Sequence, residues 1–352
     1  MPNDEETPVT ETQVGLFLSN QQPPDRDPVE ALDEQLAMVE HAREAGWDAI
    51  FTGHHYLLPE VRKLQPIPFL ARLAAEAGDM RVGVAILLLA LQNPVDAAEN
   101  MASLDVITQG RLIVGAALGY REAEYEAFAI PQGERVRRFE ENLRVLTRLL
   151  EGEEVSVELP WCRTQGARLV NRPVQAPRPP LWIGANNDGA VQRAARMGDT
   201  WMINPHARMD TVQRQMSLFR EAREDAGRSP APEELPAVKE IFCADTREEA
   251  FERCLPYLGE KYRHYLSWGQ DGAMPTGDTL GLPIEELVDN RFVVGTPQDC
   301  LDVLTAWRDE VGVNHFVFRT DWVGMPHGYA RRSLELLSVE VIPALRAGRK
   351  NI

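Results

Sequence analysis

The sequence predicts an α/β fold, a (β/α)8 TIM barrel, on three observations. Eight short runs are apolar throughout, amphipathic helical patterns alternate with them, and small residues gather at the C-terminal ends of the runs. Strands buried between a barrel interior and a helix layer are apolar on both faces. A chain of 352 residues suits one such barrel with insertions.

In chain order, residues 1–13 are polar and read as a disordered tail, and Val14–Ser19 is the first predicted strand. Asp27-Pro28 supplies a cap and a first-turn proline for a helix over Val29–Ala45, which stops at Gly46. The second and third strands are Ala49–Gly53 and Met80–Leu89. Asn93-Pro94 opens a helix over Val95–Thr108, which stops at Gly110 before the fourth strand, Arg111–Leu118. Residues 153–180 are too long for a simple connection and read as an insertion before strand five, with a hairpin beginning at Val155–Leu159. Strand five is Leu181–Ala185, followed by a helix over Ala190–Met197 and strands six and seven, Thr200–Asn204 and Ala237–Ala244. A second insertion, residues 255–292, separates strands seven and eight. Its Tyr257, Tyr262, Tyr265 and Trp268 either roof an apolar pocket or pack a helix on the barrel wall. Thr296-Pro297 opens the helix Gln298–Glu310, which stops at Gly312, and Asn314–Thr320 is the eighth strand. Residues 14–346 read as a single domain.

A net charge of −17 argues against nucleic acid or an anionic membrane as partner, because phosphate binding needs a basic surface. The four cysteines are widely separated and form no C-x-x-C pair. With no signal peptide they read as reduced thiols of a cytoplasmic protein. The most apolar window, Val82–Leu91, is too short to span a bilayer. Only four lysines occur, so arginine carries nearly all the positive charge.

Barrel chemistry belongs at the C-terminal strand ends. Four candidate segments lie there: 52–56, 116–120, 184–189 and 319–322. The run Leu181–Gly189 passes from a strand through Gly184, Ala185, Asn186, Asn187, Asp188 and Gly189 into a helix start. Such a start binds phosphate through free amides, or its asparagines merely cap the helix. His54 and His55 end the second strand. Pleating would turn them to opposite faces, and no His-x-His or His-x-x-x-His spacing occurs among the seven histidines, so a zinc hydrolase is disfavoured and no metal is expected. A histidine at a strand end either contacts a ligand or is a satisfied structural group. A Schiff-base lysine would have to be Lys239, whose neighbours suggest no site, and there is no G-x-G-x-x-G or P-loop.

Several segments together resemble the bacterial luciferase-like flavin-dependent monooxygenase family, from Val14 to about Leu345. They are GWDAIFTGHHY (46–56), VGVA (82–85) through QNP (92–94), LDVITQGRL (104–112), GAALGYREAEYEAF (115–128), PVQAPRPPLWIG (173–184) and VVGTP (293–297). The resemblance implies a TIM barrel of the luciferase-like type with reduced FMN (FMNH2) across its mouth, supplied by a separate flavin reductase, and O2 as co-substrate. It places the catalytic histidine at His54, suited by a near-neutral pKa to shuttle a proton, and makes His55 a packing neighbour. It implies a non-proline cis peptide near Ala85–Ile86, cofactor contacts from Ala117, Leu118 and Gly119, and phosphate contacts from Ala185–Gly189 and Arg135. It also implies a homodimer. Leu118 departs from the arginine of luciferase itself, which would loosen the FMN phosphate or mark the branch that uses the deazaflavin coenzyme F420 as a dehydrogenase or reductase. A non-catalytic flavin-binding barrel is the third alternative. Tyr56, Leu57, Leu58, Leu88, Trp161, Tyr262, Trp268 and Trp322 are pocket candidates, which suits a small hydrophobic, carbonyl-containing substrate.

Overall fold

A computed structural model of the chain describes residues 11–289 and 291–348. Eight parallel strands form a closed barrel: β1 (Gln13–Leu18), β2 (Ala49–Thr52), β3 (Arg81–Leu88), β4 (Leu112–Ala117), β5 (Leu181–Ala185), β6 (Thr200–Ile203), β7 (Pro236–Cys243) and β8 (His315–Arg319). Neighbours pair in sequence order, except that β8 lies between β7 and β1 and so closes the ring. All eight predicted strands occur, each within about one residue of its expected bounds. The predicted tail falls outside the described residues up to residue 10. Its last residues are ordered: Thr12 is buried and Gln13 begins β1, where its amide donates to the Asn314 carbonyl.

The barrel interior is filled by Phe17, Ala49, Phe51, Ile113, Trp182, Met202, Val238 and Val317. Glycines make room for the largest of these. A Cβ on Gly15 or Gly83 would stand 2.6 or 2.2 Å from the Phe51 ring, so Phe51 can stack on Trp182 only because both neighbours lack side chains.

The helix starts follow their capping chemistry. Asp27 accepts from the Val29 and Glu30 amides, Asn93 accepts from Val95, and Thr296 with Asp299 makes a reciprocal capping box. The helix predicted as Gln298–Glu310 is regular over Pro297–Ala306 and then widens into an i→i+5 turn, Trp307–Val311.

The first insertion carries the antiparallel hairpin Val155–Leu159 with Cys162–Ala167. Its return is pinned by Asp105, which accepts from the Val174 and Gln175 amides at 2.7 and 2.9 Å. The second insertion starts inside the helix Arg247–Ser267, which continues through Pro256 past the expected boundary at residue 255. That helix leads into the roof of the barrel mouth. A short outer strand, Val293–Gly295, adds to the far end of β7.

Candidate active site

β2 ends at Thr52, so His54 and His55 lie beyond the pleat, and the expectation of opposite strand faces does not apply to them. Their neighbours separate them instead. The Leu88 amide donates to His54 Nδ1 at 3.5 Å, and His54 Nε2 lies 3.0 Å from Gln65 Oε1. The other end of the Gln65 amide donates to the His55 carbonyl, which orients its oxygen toward His54. These partners fix the tautomer with the proton on Nε2. Burial, then the adjacent His55, lowers the His54 pKa to about 4. That corrects the near-neutral expectation: the ring is uncharged at neutral pH.

His55 is more than a packing neighbour. Its Nδ1 meets Glu124 Oε1 at 3.0 Å, and the same oxygen accepts from the Tyr56 amide and from Arg121. Arg121 in turn donates to the Tyr56 carbonyl and covers the Trp268 ring at 4.9 Å. Burial works against the Glu124 carboxylate, yet its bonds outweigh that and hold its pKa below the usual range. The loop after β2 is thus clamped to the first turn of the helix Glu122–Ala127 by a buried carboxylate. Sequence reasoning missed Gln65, Arg121 and Glu124, because an acid in a helix's first turn reads as a solvated dipole partner.

The proposed cofactor residues surround the same mouth. The Ala85–Ile86 peptide is cis, as the resemblance implied, and Ile86 packs against the interior. A Cβ on Gly115 would lie 2.5 Å from the Val84 carbonyl, and one on Gly184 would lie 3.3 Å from Ala117 and 3.4 Å from Ile86. The floor is therefore built on close backbone approach. Leu118 packs its side chain on the core, its carbonyl accepts from Tyr125 at 2.7 Å, and Gly119 follows with φ +85.

At the helix Asp188–Met197, Asn187 accepts from the Ala190 amide as the cap. Asn186 takes the Asn204 amide at 2.9 Å, and the Ala185 carbonyl takes Trp201 Nε1 at 3.0 Å. Asp188 is paired with Arg214. These side chains are thus engaged within the chain, so an anion would meet only the first-turn amides of Asp188 and Gly189. A Cβ at Gly189 would meet only the Asn187 side chain, at 3.9 Å, so that approach is open. Arg135 begins the helix Arg135–Leu150 and donates to the Gln132 carbonyl.

Among the pocket candidates, Tyr56 lies 4.4 Å from His54 ring to ring, and its hydroxyl accepts from Gln92. Leu88 is buried beneath Gly119. Trp268 packs against Tyr265 at a tilt of 34° and lies 6.1 Å from His55. Trp322 is buried and donates to Glu240 Oε2 at 2.7 Å. Two candidates do not fit. Leu57 has φ +48 and is 73% exposed, while Trp161 packs on Arg137 and Arg138 of the helix Arg135–Leu150.

The mouth also holds charges that the sequence did not single out. Glu240, fully buried on β7, pairs with Lys261 and lies 3.7 Å from Arg319. Burial lowers the Lys261 pKa to about 7, with Arg319 adding to the effect. Lys63 donates to the Ser19 carbonyl at 2.8 Å. On the outer face of β7, Lys239 has no hydrogen-bond partner among the described residues and stands 3.7 Å over the Trp307 ring. One signal could have revealed Glu240: an acid in an otherwise apolar strand is costly unless paired.

Residues 12–315 match the family described as luciferase-like monooxygenase. The oxygenase component of a flavin-dependent trigonelline monooxygenase from Acinetobacter baylyi is 26% identical over 331 residues, 89% of each chain. The structure of a monooxygenase from Streptomyces bottropensis superposes with a TM-score of 0.81 at 25% identity, covering 94% of this chain and 99% of that one. An F420-dependent secondary alcohol dehydrogenase shares the fold at a TM-score of 0.77 and 18% identity, over 96% of this chain and 99% of that one. The chain belongs to the luciferase-like monooxygenase family of oxidoreductases.

Proposed function

We propose that this chain is the oxygenating component of a two-component system that takes reduced FMN from a separate reductase and oxygenates a small, largely apolar, carbonyl-containing compound. The observation that carries the reading is His54: a buried, uncharged imidazole with a fixed tautomer at the end of β2, in a member of this family. The mouth fits a flat cofactor. Gly115 and Gly184 allow close approach around the cis peptide Ala85–Ile86, and the amides of Asp188 and Gly189, helped by Arg135, would hold a phosphate. Bound reduced flavin supplies two electrons to O2, so that one oxygen atom enters the substrate and the other leaves as water.

The chain's own residues then have three tasks. Neutral His54 holds its proton at Nε2, where exchange of the Gln65 contact for a ligand oxygen lets it donate, and lets it take a proton back. The Glu124 clamp fixes the loop that carries it. The aromatic roof of Tyr262, Tyr265 and Trp268 excludes water, which oxygen chemistry on a reduced flavin requires. Leu118 favours a second reading, hydride transfer with coenzyme F420, since an apolar side chain packed on the core contributes no cation to an FMN phosphate. A homodimer is part of the proposal.

The experiment is to titrate the purified chain with FMN, reduced FMN and coenzyme F420, then follow O2 uptake with reduced FMN and a ketone panel. Binding of reduced FMN with substrate-dependent O2 uptake supports the proposal. Tight F420 binding with no O2 uptake replaces it by the second reading.

A further inference from the structure

The mouth holds more hydrogen-bond donors than the chain itself satisfies. Trp268 Nε1, Arg319 Nε and the hydroxyls of Tyr120 and Tyr262 are all buried without a hydrogen-bond partner among the described residues. Indole and guanidinium nitrogens only donate, so these two need acceptor oxygens from outside the chain. The groups are contiguous. The Tyr265 ring lies 5.5 Å from Trp268 and 5.9 Å from Tyr262, and its hydroxyl accepts from Arg319 Nη1 at 3.4 Å. The Arg319 guanidinium also covers Phe17 at 4.0 Å, which puts it over the barrel interior.

Arg319 also brings a lasting charge to these donors. Glu124 is balanced by Arg121, and Asp321, held by Ser19 and Gln35, interacts with Lys63, Lys261 and Arg319. Glu240 lies beside Lys261 and Arg319, of which the guanidinium stays charged at every accessible pH. Two donor-only nitrogens among the aromatic side chains of the mouth, one of them on a guanidinium, are complementary to a carboxylate, whose two oxygens can serve both.

We infer that the mouth selects an aromatic carboxylate, its ring among Tyr262, Tyr265 and Trp268 and its carboxylate on Arg319 Nε and Trp268 Nε1. The inference rests on the proposed function and narrows its substrate class. It also gives Arg319 and Trp268 the role of specificity-determining residues.

Calorimetric titration of the full chain, with and without FMN, uses benzoate as probe and neutral benzyl alcohol as control. Wild type should bind benzoate at millimolar concentration or below, roughly tenfold or more tightly than benzyl alcohol. Arg319→Gln and Trp268→Phe should each remove most of that preference while leaving benzyl alcohol binding unchanged. Arg319→Gln leaves Glu240 with one cation and can fail to fold, which circular dichroism reports. Trp268→Phe, which keeps an aromatic ring in place and removes the N–H donor with the smaller ring, then carries the test, with benzyl alcohol binding as the control for lost ring contact. Absence of benzoate binding, equal binding of the two probes, or a preference that survives the substitutions overturns the inference. FMN affinity is measured in the same samples. If the variants lose FMN and keep the benzoate preference, the donors serve the flavin: the inference fails and the proposed function stands. Failure of wild type to bind FMN or reduced FMN counts against the proposed function itself.

Discussion

His54 has both ring nitrogens engaged, one by the Leu88 amide and one by Gln65, so the site stores a hydrogen bond that a ligand must take over. His54→Ala should lower turnover at least ~100-fold, the usual scale for a positioned acid–base group, as read from initial rates with saturating reduced flavin. His55→Ala removes a ligand of the Glu124 clamp and should cost thermal stability first. Equal, small losses of turnover in both variants would reverse the assignment. Gln65→Ala should leave the fold intact and weaken His54 orientation, with less effect on rate than His54→Ala. The pH profile follows from the same ring. With its pKa at about 4, the rate should hold level through the range in which an ordinary histidine titrates and fall only near pH 4. A limb near pH 6.5 would place the reacting proton on another group.

At the scale of elements, β7 places two ionisable side chains on its opposite faces, Glu240 in the mouth and Lys239 beneath the helix layer. Lys239 is fully buried, compensated in part by the Trp307 ring and by the charge of neighbouring Glu240. Lys239→Met should raise stability by roughly 1–3 kcal/mol in chemical denaturation at neutral pH, since a buried donor without a partner costs about that much. Burial lowers the Lys239 pKa to about 7, below its unfolded value of 10.5. The unfolded chain therefore binds the extra proton between those values, and wild-type stability should rise with pH across that window, closing the gap to the variant. The helix Asp188–Met197 carries its own test. If its first-turn amides hold a phosphate, FMN should bind distinctly more tightly than riboflavin, and equal affinities would remove the phosphate site.

The elements themselves were legible in the sequence. Parallel barrel strands are buried on both faces and stand out as apolar runs, and Asp27, Asn93 and Thr296 mark helix starts through local chemistry. The candidate site was legible only where a motif lies on one strand or just past its end, as with His54 beyond β2 and the Ala85–Ile86 cis peptide within β3. Glu124 closing on the loop after β2 joins residues some seventy positions apart, and Glu240 meets Lys261 only because the helix Arg247–Ser267 folds back over the mouth. Nothing local in the sequence encodes such contacts.

Taken whole, the molecule buries His54, His206 and His315 and half-buries His55, and desolvation is the leading cause that lowers all four pKa values below 6.5. Between pH 6.5 and about 4 the unfolded chain binds protons that the folded chain refuses, so stability should fall steadily across that interval. Paired carboxylates such as Glu124 and Glu240, held below the usual range, extend the fall to lower pH. Melting temperatures in a buffer series would check this, and a flat profile from pH 6.5 to 5 would contradict it. The scarcity of lysine has a practical consequence for anyone handling the protein. The Lys63 amine is tied to Ser19, Lys239 is shut beneath Trp307, and Lys261 is locked to Glu240, whereas arginines populate the exterior. Succinimidyl esters and other amine-directed cross-linkers should therefore leave Lys239 and Lys261 unmodified in the folded chain and, of the three, react first at half-buried Lys63, as peptide mass mapping would show. Tethering to a surface or attaching a fluorophore at many points of the folded body calls for guanidinium-directed chemistry or an engineered cysteine.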